Sequence, residues 1–255
     1  MNIFQSIILG IIQGITEFLP ISSSGHLVIL ERFFKISENI VLLNLVLHLG
    51  TALAVISFFW KDLIKIWKEK DWILIKNLFV AFVVTSIFGF LIKNIIEKIF
   101  INNLSLIPLT LGFIFTAIIL LFVNKLKGNK ELKNLRIFDT IKIGLAQVIA
   151  LAPGISRSGI TYITTLKSGI KKEDAFKFSF LLSIPTILGA TFVESITGFK
   201  DILININLIP LVTGLIISFI FGILGIYIFK YIIKTSKMWV FSIYLICLAI
   251  ILLIV

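Results

Sequence analysis

Apolar side chains follow one another in long uninterrupted runs along most of the chain. Six of these runs are close to the length of a membrane span: 40–60, 73–96, 104–123, 176–196, 208–229 and 238–255. A helix needs about 20 apolar residues to cross the hydrocarbon core of a bilayer. We therefore predict an all-α polytopic membrane protein with six transmembrane helices.

Two further stretches, residues 3–34 and 137–166, are apolar but interrupted. Proline, glycine and serine cluster at residues 20–25 in the first stretch and at residues 153–159 in the second, and we name these clusters the first and second turn segments. Each half of either stretch is shorter than the roughly 20 residues of a spanning helix. We predict two re-entrant helical hairpins, each of which enters the membrane and returns to the same face.

The two turn segments lie in an internal repeat. When the chain is shifted by 134 residues, residues 10–25 align with residues 144–159 without a gap. Identical pairs include Gly10 with Gly144, Gln13 with Gln147, Ile21 with Ile155, Ser22 with Ser156, Ser24 with Ser158, and Gly25 with Gly159. Three expected spans follow each copy, which argues for a true repeat rather than chance identity.

Each half has a hairpin, which keeps both its ends on one face, followed by three spans. Because three is an odd number of crossings, the second half starts on the opposite face, and the two halves have opposite orientations. We therefore expect one membrane domain, residues 1–255, in which inverted repeats 1–123 and 137–255 are joined by a basic cytoplasmic loop at 124–136. In proteins with inverted repeats, the functional site tends to lie near the membrane midplane, where broken helices meet.

The positions of lysine and arginine predict the orientation. The breaks at 61–76, 124–136, 167–177 and 230–237 share one expected face, and they carry 17 of the 24 lysines and arginines. The opposite face carries Arg32, Lys35, Lys93, Lys98 and Lys200. By the positive-inside rule the first face is cytoplasmic, so both termini and the opening of the first hairpin lie outside. The second hairpin then enters from the cytoplasm.

Composition narrows the class of protein further. Hydrophobic residues make up 58% of the chain and the mean hydropathy is +1.11, which a soluble fold could not cover. The net charge of +11 does not indicate nucleic-acid binding, because the basic residues occupy the short breaks between spans. Cys247 is the only cysteine, which excludes a disulfide within the chain. The first residues lack a charged region and a small-residue cleavage site, so we expect no cleaved signal peptide.

Polar residues concentrate at the turn segments, although an unpaired polar group is costly in hydrocarbon. Gln13 and Glu17 share one face of the first short helix because they are four residues apart. The other candidate site residues are Ser22, Ser23, Ser24, Gly25 and His26 in or beside the first turn segment, and Ser156, Arg157, Ser158, Gly159 and Thr161 in or beside the second. Arg157 is permanently charged and requires an anion. Hydroxyl groups at two helix N-termini beside it form an anion site that suits phosphate.

Each of these residues also has a structural explanation. Serines often bond to backbone carbonyls in membrane helices. Gln13 and Gln147 could form hydrogen bonds between helices. An Arg157–Glu17 ion pair could hold the hairpins together, and His48, inside an apolar run, is more readily a packing residue than a site residue. The concentration of these groups in two related segments favours a site. Glu17 would face phosphate only through a divalent metal or a proton.

The segments "QGITEFLPISSSGH" and "PGISRSGIT" resemble the two signature motifs of the undecaprenyl-diphosphate phosphatase family, the bacitracin-resistance type. "FSFLLSIPTILGAT" at 178–191 is also similar to that family. The resemblance implies hydrolysis of the lipid carrier diphosphate to the monophosphate and phosphate, for reuse in peptidoglycan synthesis. It also implies bacitracin resistance, a site on the outer side of the bacterial cell membrane, and a divalent cation, Mg²⁺ or Ca²⁺.

The family's glutamate-rich motif carries Glu or Gln first and Glu second, which fall on Gln13 and Glu17. Only one can be a carboxylate here, so Glu17 is the expected metal partner or base, with Gln13 as a second candidate ligand. The family's serine, histidine and arginine fall on Ser23, His26 and Arg157. The residues flanking that arginine fall on Ser156, Ser158 and Thr161. We expect these three, with Ser22, Ser24, Gly25 and Gly159, to bind the diphosphate.

We therefore predict a membrane phosphatase for a polyprenyl diphosphate lipid whose tail lies between helices. Ser23 is the preferred nucleophile, with His26 or Glu17 as its base. Alternatively His26 attacks while Glu17 orients it, or a metal-bound water attacks directly. A second function class is a transporter or flippase of a phosphorylated polyprenyl lipid, which would need the anion site but no nucleophile. Phosphate release from the diphosphate in detergent separates the two.

Overall fold

A computed structural model describes residues 2–36, 40–101, 105–197 and 208–254. The α-helices of the described residues are α1 (Ile3–Phe18), α2 (Ser23–Phe33), α3 (Ile40–Phe58), α4 (Trp60–Lys68), α5 (Trp72–Ile96), α6 (Ile107–Phe122), α7 (Ile137–Ile149), α8 (Arg157–Lys167), α9 (Lys172–Thr197), α10 (Leu208–Thr235) and α11 (Trp239–Ile254). Within these ranges no strand forms, and an isolated bridge joins Lys130 to Ile170. The prediction of an all-α fold is confirmed.

Several of these helices suit a membrane by length and composition. Five segments are long and apolar enough to cross a bilayer: Ile40–Phe58, Trp72–Phe100, Ile107–Lys125, Lys172–Ile196 and Leu208–Thr235. The sixth expected span corresponds to α11, an apolar helix of 16 residues. Large apolar side chains cover the outside of the helices, including Phe90 at 77% exposure and Phe192 at 66%. The chain is a multi-pass membrane protein, and the full arrangement of six spans and two hairpins stays a prediction.

Some helix bounds differ from the expected ones. α10 continues to Thr235 and α9 begins at Lys172, because lysines at the membrane surface do not interrupt a helix. The first expected span ends at Phe58, and α4 then continues without a buried residue. Its exposed lysines and tryptophans are typical of a helix at a membrane interface. Lys200 and Val255, which belonged to the expected outer face and the last span, lie outside the described residues.

Each turn segment joins two short helices and supplies a serine cap. Leu19 is extended, with φ −69° and ψ 148°, because the following proline disfavours the α region. Ser22 then caps α2 by accepting from the backbone N–H of Gly25 at 3.4 Å. Ser156 caps α8 in the same way, since its Oγ accepts from the backbone N–H of Gly159 at 3.1 Å. The pairs Ser22/Ser156 and Gly25/Gly159 are those that the 134-residue shift aligns.

Helices from the two halves pack against each other in reciprocal pairs. α1 lies along α10, while α7, its counterpart in the repeat, lies along α5. Glycine makes both contacts close: a Cβ on Gly10 would lie 3.0 Å from Ile217, and one on Gly144 would lie 2.8 Å from the carbonyl oxygen of Ala81. α3 with α10, α6 with α11 and α3 with α9 form the remaining large contacts between halves. Small residues at helix crossings in membranes allow this proximity of backbones.

The four basic breaks meet at one end of the helices. The backbone N–H of Lys130 donates to Gly169 at 2.9 Å, which ties the connecting loop to the segment between α8 and α9. Lys177 Nζ lies 2.5 Å from Asp62 Oδ1 in α4. Lys172 Nζ donates to Ser236 Oγ at 2.7 Å, after α10. The residues that the positive-inside rule assigned to a single face are therefore neighbours in space.

Candidate active site

The two turn segments pack directly against each other in the interior. A Cβ on Gly25 would lie 3.1 Å from Gly154 N, and one on Gly159 would lie 3.2 Å from Pro20 Cβ. Shifting each partner by 134 residues exchanges these two contacts, as a two-fold axis between the segments would. Gly25 and Gly159 are buried here, so they allow the segments to approach each other and do not line the cleft.

Hydrogen bonds strengthen the contact between the segments. The backbone N–H of Gly154 donates to Ser22 Oγ at 3.0 Å, and Ser158 Oγ donates to the carbonyl oxygen of Leu19 at 3.1 Å. Ser22 has φ 67° and ψ 96°, a left-handed backbone that is costly for a residue with a Cβ. Ser22 Oγ accepts from both turn segments, which offsets part of that cost and holds the strained conformation.

A cleft of about 240 Å³, partly open to solvent, lies where the segments meet. Its walls are Thr16, Glu17, Ser22, Ser23, Ser24, Ala150, Ile155, Ser156 and Arg157. α2 and α8 both begin at this cleft, because their caps Ser22 and Ser156 line it. Free backbone N–H groups at helix N-termini, together with a guanidinium, make the cleft attractive to an anion.

Glu17 is the most connected residue of the cleft. One carboxylate oxygen, Oε1, pairs with Arg157 Nη2. The other, Oε2, accepts from Ser23 Oγ at 2.5 Å and from Gln13 Nε2 at 3.1 Å. The side chain of Glu17 is 5% exposed and that of Arg157 is 15% exposed, so both charges are largely removed from solvent. Buried charges of this kind are paired because an isolated one is costly.

His48 also reaches this group, which corrects our expectation of a packing residue. Its Nε2 lies 3.9 Å from Glu17 Oε2, while Nδ1 bonds to the carbonyl oxygen of Asn44 at 2.7 Å. The single histidine within an apolar run carried no local motif that could assign it to the site. Its place follows from the packing of α3 beside α1.

His26 does not contact Ser23 through any of the hydrogen bonds of the described residues. Its Nδ1 lies 2.7 Å from the carbonyl oxygen of Ser22, and its Nε2 lies 2.7 Å from the hydroxyl of Tyr244 in α11. Of the two bases proposed for Ser23, the structure therefore brings Glu17 and not His26 to the serine. Tyr244 was absent from the sequence prediction because it is more than 200 residues from His26 along the chain.

The other expected diphosphate ligands divide into two groups. Ser22, Ser24 and Ser156 line the cleft. Ser158 and Thr161 lie behind it: Ser158 bonds to Leu19, while Thr161 Oγ1 pairs with Ser179 Oγ at 2.5 Å and is fully buried. Thr161 therefore joins α8 to α9 and does not line the cleft, which corrects its expected role as a diphosphate ligand.

Gln13 and Gln147, equivalent in the repeat, have different surroundings. Gln147 Nε2 donates to Thr85 Oγ1 at 2.9 Å and Thr186 Oγ1 at 3.2 Å, which joins three helices. Gln13 contacts Glu17, which lines the cleft, and its Oε1, like that of Gln147, is buried without a hydrogen-bond partner. A buried acceptor without a partner is uncommon in proteins. Gln13 Oε1 and the Glu17 carboxylate are oxygen donors of the kind that Mg²⁺ and Ca²⁺ prefer.

The arrangement supports nucleophilic chemistry on an anion. Ser23 lies at the N-terminus of α2 with its hydroxyl on a carboxylate that can accept a proton. Arg157 lies at the N-terminus of α8 across the same cleft. A family model described as "Bacitracin resistance protein BacA" matches residues 6–251.

This chain belongs to the BacA family.

Curated BacA-like relatives match nearly the whole chain. One from Thermosipho africanus is 41% identical over 251 residues, which cover 96% of this chain and 97% of the relative. Others from Treponema denticola and Caldicellulosiruptor bescii are 39% and 40% identical, with 96% of this chain and 94% of each relative covered. All three carry the name undecaprenyl-diphosphatase. Both turn segments lie inside the range that the family model matches.

Proposed function

We propose that this BacA-family protein hydrolyses undecaprenyl diphosphate to undecaprenyl phosphate and phosphate. The observation that carries the proposal is the contact of Ser23 Oγ with Glu17 Oε2 at 2.5 Å in a cleft that Arg157 shares. The names of relatives that match 96% of the chain support the same substrate. The activity would recycle the lipid carrier for peptidoglycan synthesis.

In this proposal the cleft binds the diphosphate before the reaction. The N-termini of α2 and α8 offer backbone N–H groups, and Ser22, Ser24 and Ser156 offer hydroxyls. Arg157 exchanges part of its contact with Glu17 for phosphate oxygens, because its planar guanidinium can serve both. The terminal phosphorus is then held near Ser23, with its developing charge facing fixed donors.

Ser23 is the proposed nucleophile and Glu17 the proposed base. Ser23 Oγ gives its proton to Glu17 Oε2 and forms a bond to the terminal phosphorus. The bond from that phosphorus to the bridging oxygen breaks, and undecaprenyl phosphate leaves with the electron pair. Water then cleaves the phosphoserine, and Ser23 regains its proton from Glu17. The short contact between Ser23 and Glu17 provides the geometry for this proton transfer.

A divalent cation is part of the proposal, since the donor set fits one. Glu17 and Gln13 would hold it, because the amide of Gln13 contacts the carboxylate through Nε2 and its buried Oε1 has no hydrogen-bond partner. When bound, Mg²⁺ or Ca²⁺ would neutralise charge on the diphosphate. Glu17 is the only carboxylate among the residues that line the cleft, so phosphate oxygens would complete such a site.

We also propose the membrane arrangement of six spans and two re-entrant hairpins, as inverted repeats 1–123 and 137–255 in one domain. The reciprocal packing of α1 on α10 and α7 on α5 supports it. The meeting of the four basic breaks at one end supports a cytoplasmic face there. Both termini and the cleft opening would then face outward from the cytoplasmic membrane of a bacterium.

The test is phosphate release from undecaprenyl diphosphate by purified protein in detergent. Wild-type protein should release phosphate, while Ser23→Ala and Glu17→Gln should not. Ser86→Ala, which removes an exposed hydroxyl bonded to its own helix, is the matched control and should behave as wild type. Substrate binding without phosphate release by the wild type would overturn the proposal and favour a transporter or flippase of the phosphorylated lipid.

A further inference from the structure

Both ring nitrogens of His26 are engaged in hydrogen bonds. Nδ1 lies 2.7 Å from the carbonyl oxygen of Ser22, and a carbonyl oxygen can only accept, so Nδ1 carries a hydrogen. Nε2 lies 2.7 Å from the hydroxyl of Tyr244, which donates to the remaining lone pair of a neutral ring. The carbonyl partner therefore selects the neutral tautomer with hydrogen on Nδ1, and the Tyr244 hydroxyl, which can donate or accept, serves that tautomer as a donor.

Aromatic packing holds the same ring in place. The ring of Tyr244 stacks on His26 with centroids 5.7 Å apart and an interplanar angle of 7°. Phe113 of α6 meets the His26 ring edge-on at 5.4 Å. Only 7% of His26 is exposed, so the ring has little space to change rotamer. His26 has no ring nitrogen left for substrate while these contacts persist.

The carbonyl that His26 holds belongs to the strained residue of the first turn segment. Ser22 has φ 67° and ψ 96°, and its carbonyl oxygen accepts from both the ring and the backbone N–H of His26. The next residue, Ser23, begins α2. Because the peptide unit is planar, the orientation of this carbonyl fixes the direction of the Ser23 N–H and the position of the Ser23 Cα from which the hydroxyl extends.

We propose that Tyr244 is a positioning residue that acts through the His26 ring on the Ser22 carbonyl and thereby fixes Ser23 in the cleft. The inference rests on the proposed phosphatase function and assigns a part to α11, which otherwise contributes no residue to the cleft walls. It also makes His26 a holder of the turn, not a base or a nucleophile. Tyr244 belongs to the second half of the chain and His26 to the first, so this contact adds another link between the halves beside the cleft.

The first experiment needs no substitution at the proposed residues. The chain has two histidines, so ¹⁵N-histidine labelling gives few ring signals, and His48→Gln assigns those of His26. A neutral ring with hydrogen on Nδ1 and a hydrogen-bonded Nε2 is expected. A ring protonated at Nε2 would overturn the proposal. This readout does not require phosphatase activity, so it separates failure of this inference from failure of the proposed function.

The second experiment measures kinetics after loss of the hydroxyl alone. Tyr244→Phe should lower kcat about tenfold or more with KM within twofold, because a buried acceptor loses its donor and Ser23 loses orientation. It should also move the Nε2 signal of His26. Tyr227→Phe, which removes the hydroxyl of an exposed tyrosine on α10, is the matched control and should keep wild-type kcat. Unchanged kcat in Tyr244→Phe would overturn the proposal.

A double-variant cycle tests the route through His26. In a His26→Gln background, Tyr244→Phe should cost less than twofold in kcat, because the two residues act as one unit. A full additive loss would show that Tyr244 acts independently of His26 and would overturn the proposed route.

Discussion

The hydroxyl of Ser23 lies 2.5 Å from the carboxylate of Glu17, although the two residues are on different helices of the first hairpin. The chain reverses at Pro20 between them, because proline ends α1 and Ser22 starts the return. The same carboxylate pairs with Arg157, 140 residues further on. The proposed nucleophile Ser23 and the guanidinium of Arg157 thus contact the same carboxylate, which is the proposed base.

The contact between Ser23 and Glu17 predicts a covalent phosphoserine. Rapid quench with substrate labelled on its terminal phosphate should trap a protein adduct that survives acid. The adduct should disappear in Ser23→Ala, together with about 10³-fold or more of kcat, since catalytic groups that act as a unit cost this much when one is removed.

His26→Ala should form the same adduct more slowly, because the turn is less well held. An acid-labile adduct that persists in Ser23→Ala would assign the attack to His26 instead. Absence of any adduct in an active wild-type enzyme would indicate direct attack by water.

Arg157→Lys should lose about 10²-fold in kcat/KM despite the retained charge. Lysine presents a single point charge, whereas the guanidinium can grip Glu17 and phosphate oxygens together. Arg136→Lys is a matched control, because Arg136 is largely exposed and pairs with Asp139, and neither residue lines the cleft. Phosphate release at saturating and limiting substrate measures both variants. Near wild-type activity in a folded Arg157→Lys protein would contradict the proposal that the planar guanidinium binds Glu17 and phosphate oxygens at the same time.

Gln13→Glu should reduce the divalent cation concentration needed for half-maximal activity by about tenfold. A second carboxylate beside Glu17 adds a charged oxygen donor where Gln13 now has a buried Oε1 without a partner. Chelation with EDTA should abolish wild-type activity, and added Mg²⁺ or Ca²⁺ should restore it. Activity that persists after thorough chelation would show that no divalent cation is needed. If Gln13→Glu needs the same cation concentration for half-maximal activity as the wild type, Gln13 is not a ligand.

The orientation can be tested with single cysteines in a Cys247→Ser background. Lys130→Cys lies in the basic loop and should react with an impermeant maleimide only after the membrane is opened. Lys35→Cys, at the exposed end of α2, should react in intact cells. Both positions are solvent-exposed, so accessibility within the protein does not limit either reaction. Reaction of both cysteines from the same side would disprove the inverted arrangement.

Much of the fold was predictable because it depends on local patterns. Runs of apolar residues determine where helices form in a bilayer, and Pro20 and the serine caps determine where the hairpins turn. The repeat aligns Gln13 with Gln147 and Ser22 with Ser156 from the sequence alone. The pairing of Arg157 with Glu17 could be predicted for a different reason: a buried charge in an apolar chain requires a partner of opposite charge.

Contacts between distant helices were decided only by tertiary packing. His48 and Tyr244 carry no local signal, and they reach Glu17 and His26 because α3 and α11 pack where they do. Thr161 faces α9 because of the rotation of α8, which a motif does not specify. The sequence alone determined which groups are available near the membrane interior. Which hydroxyl meets which base was decided by helix packing, because hydrogen bonds depend on distances of a few ångströms and sequence spacing does not define these across helices.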